Sequence, residues 1–216
     1  YSSGEYSIKR ILFSDGTVWN AENFWDANAV IYGSNADDWI YGGDGNDSLY
    51  GGTGNDTYLF NNGWGSDTLT EASSSGTDVL DFTAVTNTLT FTLSTFNVAD
   101  TLSNSLAYGS NTIESILGGT NSDNFVLANS TSSIANIDGR EGSDTISYSG
   151  NTVARTVTLT SIGTMDGFIG TASGVAGFKN IDTLLGSTVT DTLIGLNASS
   201  TWTITGAAQL TYTSTN

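Results

Sequence analysis

The hydrophobic and polar positions of this chain repeat every nine residues between positions 33 and 59. Three such units follow one another, and their eighth positions are all apolar: Ile40, Leu49 and Tyr58. Glycines at the start of each unit permit a tight turn, and the apolar eighth position gives a very short strand one inward-facing side chain. A unit that is half turn and half strand cannot bury its apolar residue alone. The pattern therefore predicts stacked units that wind into a β-solenoid.

Weaker copies of the unit recur later in the chain, at 62–70, 73–81, 118–126, 139–147 and 186–194. Between them, Thr, Ser and apolar residues alternate at 87–96 and 152–162, which predicts half-buried strands. We interpret residues 83–216 as a continuing β-solenoid with wider, less regular coils. The complete absence of proline agrees with long ladders of paired strands.

A different pattern precedes the repeats. Apolar residues on both sides of Asp15-Gly16 indicate a hairpin, and Asn20 is a candidate cap for a short helix over 21–29. We expect this segment to cap the first coil, whose strand edges would otherwise lack partners. The predicted organisation is a capping segment at 1–30, a regular roll at 31–82 and the wider solenoid at 83–216.

Composition narrows the classes of partner. The formal net charge is −17, from 22 acidic and 5 basic residues, which disfavours nucleic acid as a partner. Hydrophobic residues make up 38% of the chain, too many for a merely disordered acidic chain. No apolar run is long enough to predict a membrane span, and the absence of cysteine excludes disulfides.

The turns carry the candidate chemistry. Asp38, Asp47 and Asp56 occupy the sixth position of the three regular units. A glycine-rich turn exposes several backbone carbonyls, and the aspartate adds a carboxylate, so every donor is a hard oxygen. Calcium accepts six to eight such donors in flexible geometry, whereas magnesium requires a near-ideal octahedron. Because the chain has no histidine and no cysteine, these turns predict calcium sites.

The units GGDGNDSLY and GGTGNDTYL resemble the RTX nonapeptide GGxGxDxUx of haemolysin-type calcium-binding β-roll proteins. The preceding unit, GSNADDWIY, keeps only the first glycine, the aspartate and the apolar residue. The segment ILFSDGTVW also resembles the one that precedes the nonapeptides in large haemolysin-like proteins. The resemblance implies a right-handed parallel β-roll in which each ion lies between one turn and the turn two units later.

Carried over to this chain, the resemblance implies two to four calcium ions. The first site would combine Asp38 and the carbonyls of Gly33 and Asn35 with Asp56, Gly52 and Gly54, in a turn that also contains Gly51 and Thr53. The second would combine Gly42, Asp44 and Asp47 with Gly63, Gly65 and Asp67. A third would place Gly76 and Asp78 opposite Asp56.

The later aspartates leave alternatives open. Asp123 and Asp144 fit either a calcium site or an Asx-turn, in which the carboxylate accepts a hydrogen bond from its own turn. For Asp191, whose turn keeps a single glycine, we predict the Asx-turn. The outward positions Trp39, Tyr41 and Tyr50 suggest an interface with another copy of the chain or a stacking strip for a polysaccharide.

The expected function is that of a calcium-binding structural or adhesive module in a large secreted or cell-surface bacterial protein. The resemblance implies type I secretion from a Gram-negative cell, which uses no cleaved amino-terminal signal. A non-enzymatic role is expected because histidine, cysteine and a GxSxG elbow are all absent. Alternatives are the carboxy-terminal secretion module of an exoenzyme, such as a lipase, protease or alginate epimerase, and a self-assembling filament or surface-layer subunit.

Overall fold

A computed structural model describes residues 10–12, 18–20, 28–71, 76–110, 112–127, 134–196 and 210–214. These residues contain strands and turns but no helix, so the all-β class is confirmed. The predicted helix over 21–29 lies mostly outside the described residues. No helix of the described chain has the length and apolar character needed to cross a membrane.

The two segments around Asp15-Gly16 pair as antiparallel strands, β1 (Arg10–Leu12) and β2 (Val18–Asn20). The turn that joins them lies outside the described residues. Within the described chain, β1 and β2 form a sheet of two strands that is separate from the rest.

From β3 onward the strands belong to two large sheets. The first nine of these strands are β3 (Val30–Tyr32), β4 (Trp39–Tyr41), β5 (Ser48–Tyr50), β6 (Thr57–Asn61), β7 (Ser66–Thr70), β8 (Val79–Ala84), β9 (Leu89–Thr92), β10 (Asn97–Asp100) and β11 (Ser105–Ala107). The next ten are β12 (Ser115–Leu117), β13 (Asn124–Val126), β14 (Ile134–Asp138), β15 (Thr145–Ser147), β16 (Thr156–Ile162), β17 (Phe168–Ala172), β18 (Val175–Ile181), β19 (Thr183–Leu185), β20 (Asp191–Gly195) and β21 (Leu210–Ser214).

Successive strands of the nonapeptide region alternate between the sheets. One sheet contains β3, β5 and β7 in parallel pairs, and the other contains β4, β6 and β8 in parallel pairs. Each unit therefore pairs with the unit two places along the chain, in register, so that Ile40 lies beside Tyr58 and Ile31 beside Leu49. The same alternation continues from β12 to β15.

The sequence predicts that residues 83–216 continue as wider coils. The structure differs, because two antiparallel meanders interrupt those coils. Strands β9, β10 and β11 fold back on one another within the first sheet, as do β16, β17 and β18 within the second. Short turns cause the reversals. In the turn between β10 and β11, Asp100 accepts hydrogen bonds from the N–H groups of Leu102 and Asn104. In the turn between β16 and β17, Gly167 has a φ of 53°.

The core lies between the two sheets and follows the predicted alternation. Ile40, Leu49 and Tyr58 are all buried. Farther along, aromatic rings stack from coil to coil: Phe60 on Phe82 with centroids 4.4 Å apart, and Phe91 on Phe125 at 4.6 Å. One apolar side chain from each short strand thus joins a continuous column.

Replacing Phe91 by alanine tests this column. Phe91 is fully buried, stacks on Phe125 and makes an edge contact with Phe82 at 5.4 Å. We expect F91A to lose about 3–5 kcal/mol of unfolding free energy, measured by urea denaturation in excess calcium. The control L102A removes an exposed side chain and should change stability by less than about 0.5 kcal/mol. Similar losses in both variants would contradict a continuous core.

Candidate metal sites

Seven of the sixth-position aspartates each connect to the neighbouring strand of the same sheet. One carboxylate oxygen accepts a hydrogen bond from the backbone N–H at or just before the start of that strand. The donor and acceptor pairs are Ala29 to Asp47, Asp38 to Asp56, Asp47 to Asp67, Asp56 to Asp78, Leu89 to Asp123, Asp123 to Asp144 and Arg155 to Asp191, at 2.6–2.9 Å. Glu114 and Asp182 continue two of these rows by accepting from Asp78 and Asp144.

The second oxygen of the aspartate turns back over the first residue of its own turn. A Cβ built on Gly139 would collide with Asp144 Oδ2, and one on Gly42 would collide with Asp47 Oδ2. The first glycine of the unit is therefore required because the carboxylate five residues later occupies the space of its side chain.

The turns fall into two classes, according to whether this second oxygen accepts a hydrogen bond. In the first, which we call closed turns, the N–H of the second residue of the turn donates to Oδ2. Ser34 donates to Asp38 at 2.6 Å, Gly119 to Asp123 at 2.7 Å and Ser187 to Asp191 at 2.5 Å. In the turns of Asp123 and Asp191, the protein itself therefore satisfies both carboxylate oxygens.

In the second class, the open turns, Oδ2 is buried and has no hydrogen-bond partner. Asp47, Asp56, Asp67 and Asp144 share this feature. Their turns have glycine at the fourth position with positive φ: Gly45 at 117°, Gly54 at 124°, Gly65 at 78° and Gly142 at 126°. The closed turns have Ala36, Asn121 and Val189 there. Because residues with a side chain rarely adopt such φ values, the fourth residue distinguishes the open turns from the closed ones.

The predicted ligand pairs are brought together. Asp38 contacts Asp56, Asp47 contacts Asp67, and Asp56 contacts Asp78, each through the row of hydrogen bonds described above. The backbones of neighbouring turns also lie in close contact. A Cβ built on a glycine of one turn would collide with a carbonyl oxygen of the next: Gly52 with Ser34 O, Gly65 with Gly45 O and Gly76 with Gly54 O. Thr53 N–H donates to Ser34 O, and its hydroxyl donates to Asn35 O. Gly33, Gly63 and Asp44 lie in the same stacked turns.

Sequence reasoning missed several polar residues of these turns. At the fifth position, Asn46 and Asn55 accept hydrogen bonds from the N–H groups of Ser66 and Thr77, both at 2.8 Å. A recurring asparagine before the aspartate was the available indication. Glu71 contacts the turns as well, although it lies outside every nonapeptide.

Burial makes the open carboxylates costly when they are charged. Burial raises the pKa of Asp67 to about 7 and that of Asp144 to about 8, and neighbouring aspartates raise both further. Burial also raises the pKa of Asp47 and that of Asp56. In the closed turn of Asp123, burial raises the pKa to about 6, because N–H donors from Gly119 and Leu89 offset part of the effect.

These donors fit a hard cation. The open turns present buried carboxylate oxygens that accept no hydrogen bond from the described protein, and buried charges normally require a partner. Calcium binds carboxylate and carbonyl oxygens at about 2.3–2.6 Å with variable geometry. The residues present therefore fit calcium, and Asp47, Asp56, Asp67 and Asp144 are the side chains that would hold it.

The outward aromatic residues do not form a single strip. Trp39 and Tyr41 lie on β4, whereas Tyr50 lies on β5 in the other sheet. Tyr50 stacks instead on Tyr32, with ring centroids 4.8 Å apart. Trp39 and Tyr32 are the exposed members of this group, at 70% and 72%.

Comparison with known families agrees with the turn geometry. Residues 26–58 match the model of the RTX calcium-binding nonapeptide repeat in four copies. Residues 1–23 match the model of the haemolysin-type calcium binding protein related domain. No curated protein and no solved structure matches the chain significantly.

The raised pKa values predict how the calcium-free fold responds to pH. Asp67 and Asp144, at about 7 and about 8 when folded, have an unfolded pKa of about 3.9. Between these values the folded state binds more protons, so its unfolding free energy falls as pH rises. In excess chelator, the folded fraction measured by circular dichroism should therefore be higher at pH 5 than at pH 8. The double variant D67N/D144N should reduce this difference, and a larger folded fraction of the parent protein at pH 8 would contradict the assignment.

Proposed function

We propose that this chain, which carries the RTX, haemolysin-type calcium-binding repeats and their related domain within residues 1–58, is a structural or adhesive module that folds when it binds calcium outside the cell. The proposed fold is a right-handed parallel β-roll that widens into a solenoid. Its parent would be a large secreted or cell-surface bacterial protein.

The buried, unpartnered carboxylate oxygens of the four open turns are the observation that carries this proposal. Charge along the sequence strengthens it. No lysine or arginine occurs between residues 11 and 139, a stretch that contains the three regular nonapeptides at 33–59 and three of the open turns. Within this stretch the compensating positive charge must come from a bound cation, from protons or from basic residues elsewhere in the chain.

Folding without calcium would bring these carboxylates into stacked rows away from water. The repulsion between them and the loss of hydration both oppose folding. Calcium removes both costs, and its binding free energy becomes folding free energy when the site exists only in the folded chain. Extracellular calcium modules bind at about 10⁻⁴ to 10⁻³ M, so a chain of this kind would stay unfolded inside a cell and fold outside it.

This dependence suits passage through a type I secretion channel, which we propose as the export route. A structural role, as opposed to a catalytic one, is supported by the absence of histidine and cysteine from the chain. The exposed Trp39 and Tyr32 are the candidate adhesive contacts. The exoenzyme secretion module and the self-assembling subunit remain alternatives for the parent protein.

A calcium titration followed by far-ultraviolet circular dichroism tests the proposed function. At pH 8 in excess chelator we expect little β-structure, and we expect it to appear cooperatively as calcium reaches the millimolar range. Magnesium is the matched control and should not replace calcium at the same concentration, because it demands stricter geometry. An unchanged spectrum in chelator, with an unchanged thermal midpoint, would rule out folding driven by calcium.

The two classes of turn give a second test, with Asp144 and Asp123 as a matched pair. Both are buried sixth-position aspartates that accept a backbone N–H from the row beneath. An asparagine retains that acceptor but removes the charge. We expect D144N to lower the number of calcium ions counted by native mass spectrometry, whereas D123N should leave it unchanged. A loss of calcium in D123N alone would reverse the assignment of open and closed turns.

A further inference from the structure

Three carboxylates meet where the nonapeptide coils join the later strands. Asp56, Glu71 and Asp78 each offer an oxygen, and these oxygens lie within 4.8 Å of one another. Asp56 precedes β6 and Asp78 precedes β8, which are neighbours in one sheet. Glu71 follows β7 of the other sheet and brings a side chain from outside the repeat into the same place.

Two of these oxygens, from Asp56 and Glu71, lie with the Tyr58 hydroxyl beside Gly51. A Cβ built on Gly51 would collide with Asp56 Oδ2, Glu71 Oε1 and the Tyr58 hydroxyl. Asp56 is completely buried, and its Oδ2 has no hydrogen-bond partner. Glu71 is only 9% exposed and accepts a hydrogen bond from the Tyr58 hydroxyl. An orphaned carboxylate oxygen therefore points at a second buried carboxylate, an arrangement that a cation would stabilise.

We propose that Glu71 is a calcium ligand that completes a site of three carboxylates with Asp56 and Asp78, a ligand that the nonapeptide pattern does not contain. This inference rests on the proposed function. The unit that contains Asp78 departs from the repeat in its sequence, because Ser73 and Ser74 stand where the regular units have two glycines. Glu71 lies two residues before this unit and adds a carboxylate that the repeat lacks.

The number of carboxylates in this site predicts when it binds calcium relative to the other sites. The open turns at Asp47 and Asp67 combine two aspartates, whereas this site combines three carboxylates around one ion. Calcium affinity rises with the number of charged ligands and with the rigidity of the site. Tyr58 supplies rigidity, because it is fully buried and its hydroxyl holds Glu71 Oε1 in place. This site should fill first and join the regular roll to the strands that follow.

The test is a calcium titration of the full chain by isothermal calorimetry, comparing the parent protein with E71Q and E141Q. Loss of an outer-shell residue typically weakens metal binding by about 10- to 100-fold, so loss of a direct ligand should weaken the tightest phase of E71Q by at least about tenfold. E141Q is the matched control, because Glu141 is exposed and its loss removes the same charge from a different turn, that of Asp144. E141Q should keep the tightest phase of the parent, and any change should be confined to weaker phases.

An E71Q protein that folds in excess calcium and keeps the tightest phase unchanged would overturn the role of Glu71 and leave the proposed function intact. Absence of any calcium binding by the parent protein would defeat both. If E71Q does not fold, terbium luminescence in Y58F tests whether the first ion occupies this site. Tyr58 lies beside this site, so the first terbium bound should show weaker sensitised emission in Y58F than in the parent, and equal emission from that ion would overturn the proposal.

Discussion

The fold depends on carboxylates that lie at the start of strands, away from water. One oxygen of each sixth-position aspartate caps the N–H of a strand in the neighbouring coil, as Asp56 does for Asp38. That hydrogen bond ties the coils together, but it also places the second oxygen in a dry environment. Where the turn can supply a donor, the requirement is met locally, as at Asp123. Where it cannot, as at Asp144, the requirement can be met from solution by a cation or a proton.

This constraint connects the backbone to calcium binding. A glycine at the fourth position, such as Gly142 with a φ of 126°, accompanies every turn that leaves its carboxylate open. The aromatic column inside the roll gives the coils their apolar attraction, while the rows of aspartates oppose association unless their charge is neutralised. The apolar core thus contributes to stability whether or not calcium is bound, whereas the contribution of the aspartate rows depends on calcium and pH.

Much of this architecture is encoded in the repeat and could be predicted from it. The nine-residue period correctly predicted burial of Leu49. The pairing of each unit with the one two places later agrees with what the resemblance to the RTX repeat implied. The meanders could not be predicted from alternation, which is the same in parallel and antiparallel strands. The Asp166-Gly167 pair marks only one of the four reversals in the sequence. The role of Glu71 could not be predicted, because Glu71 reaches Asp56 through the folding of the segment between two repeats and not through any sequence spacing.

The most direct test of the account is anomalous X-ray diffraction from crystals of the full chain grown with calcium. The account predicts calcium density beside the open carboxylates of Asp47, Asp56, Asp67 and Asp144. It predicts no calcium ligation by the closed carboxylates of Asp123 and Asp191, whose oxygens the turn already satisfies. Calcium bound equally by closed and open turns would contradict the claim that an unsatisfied buried oxygen determines where the ion binds.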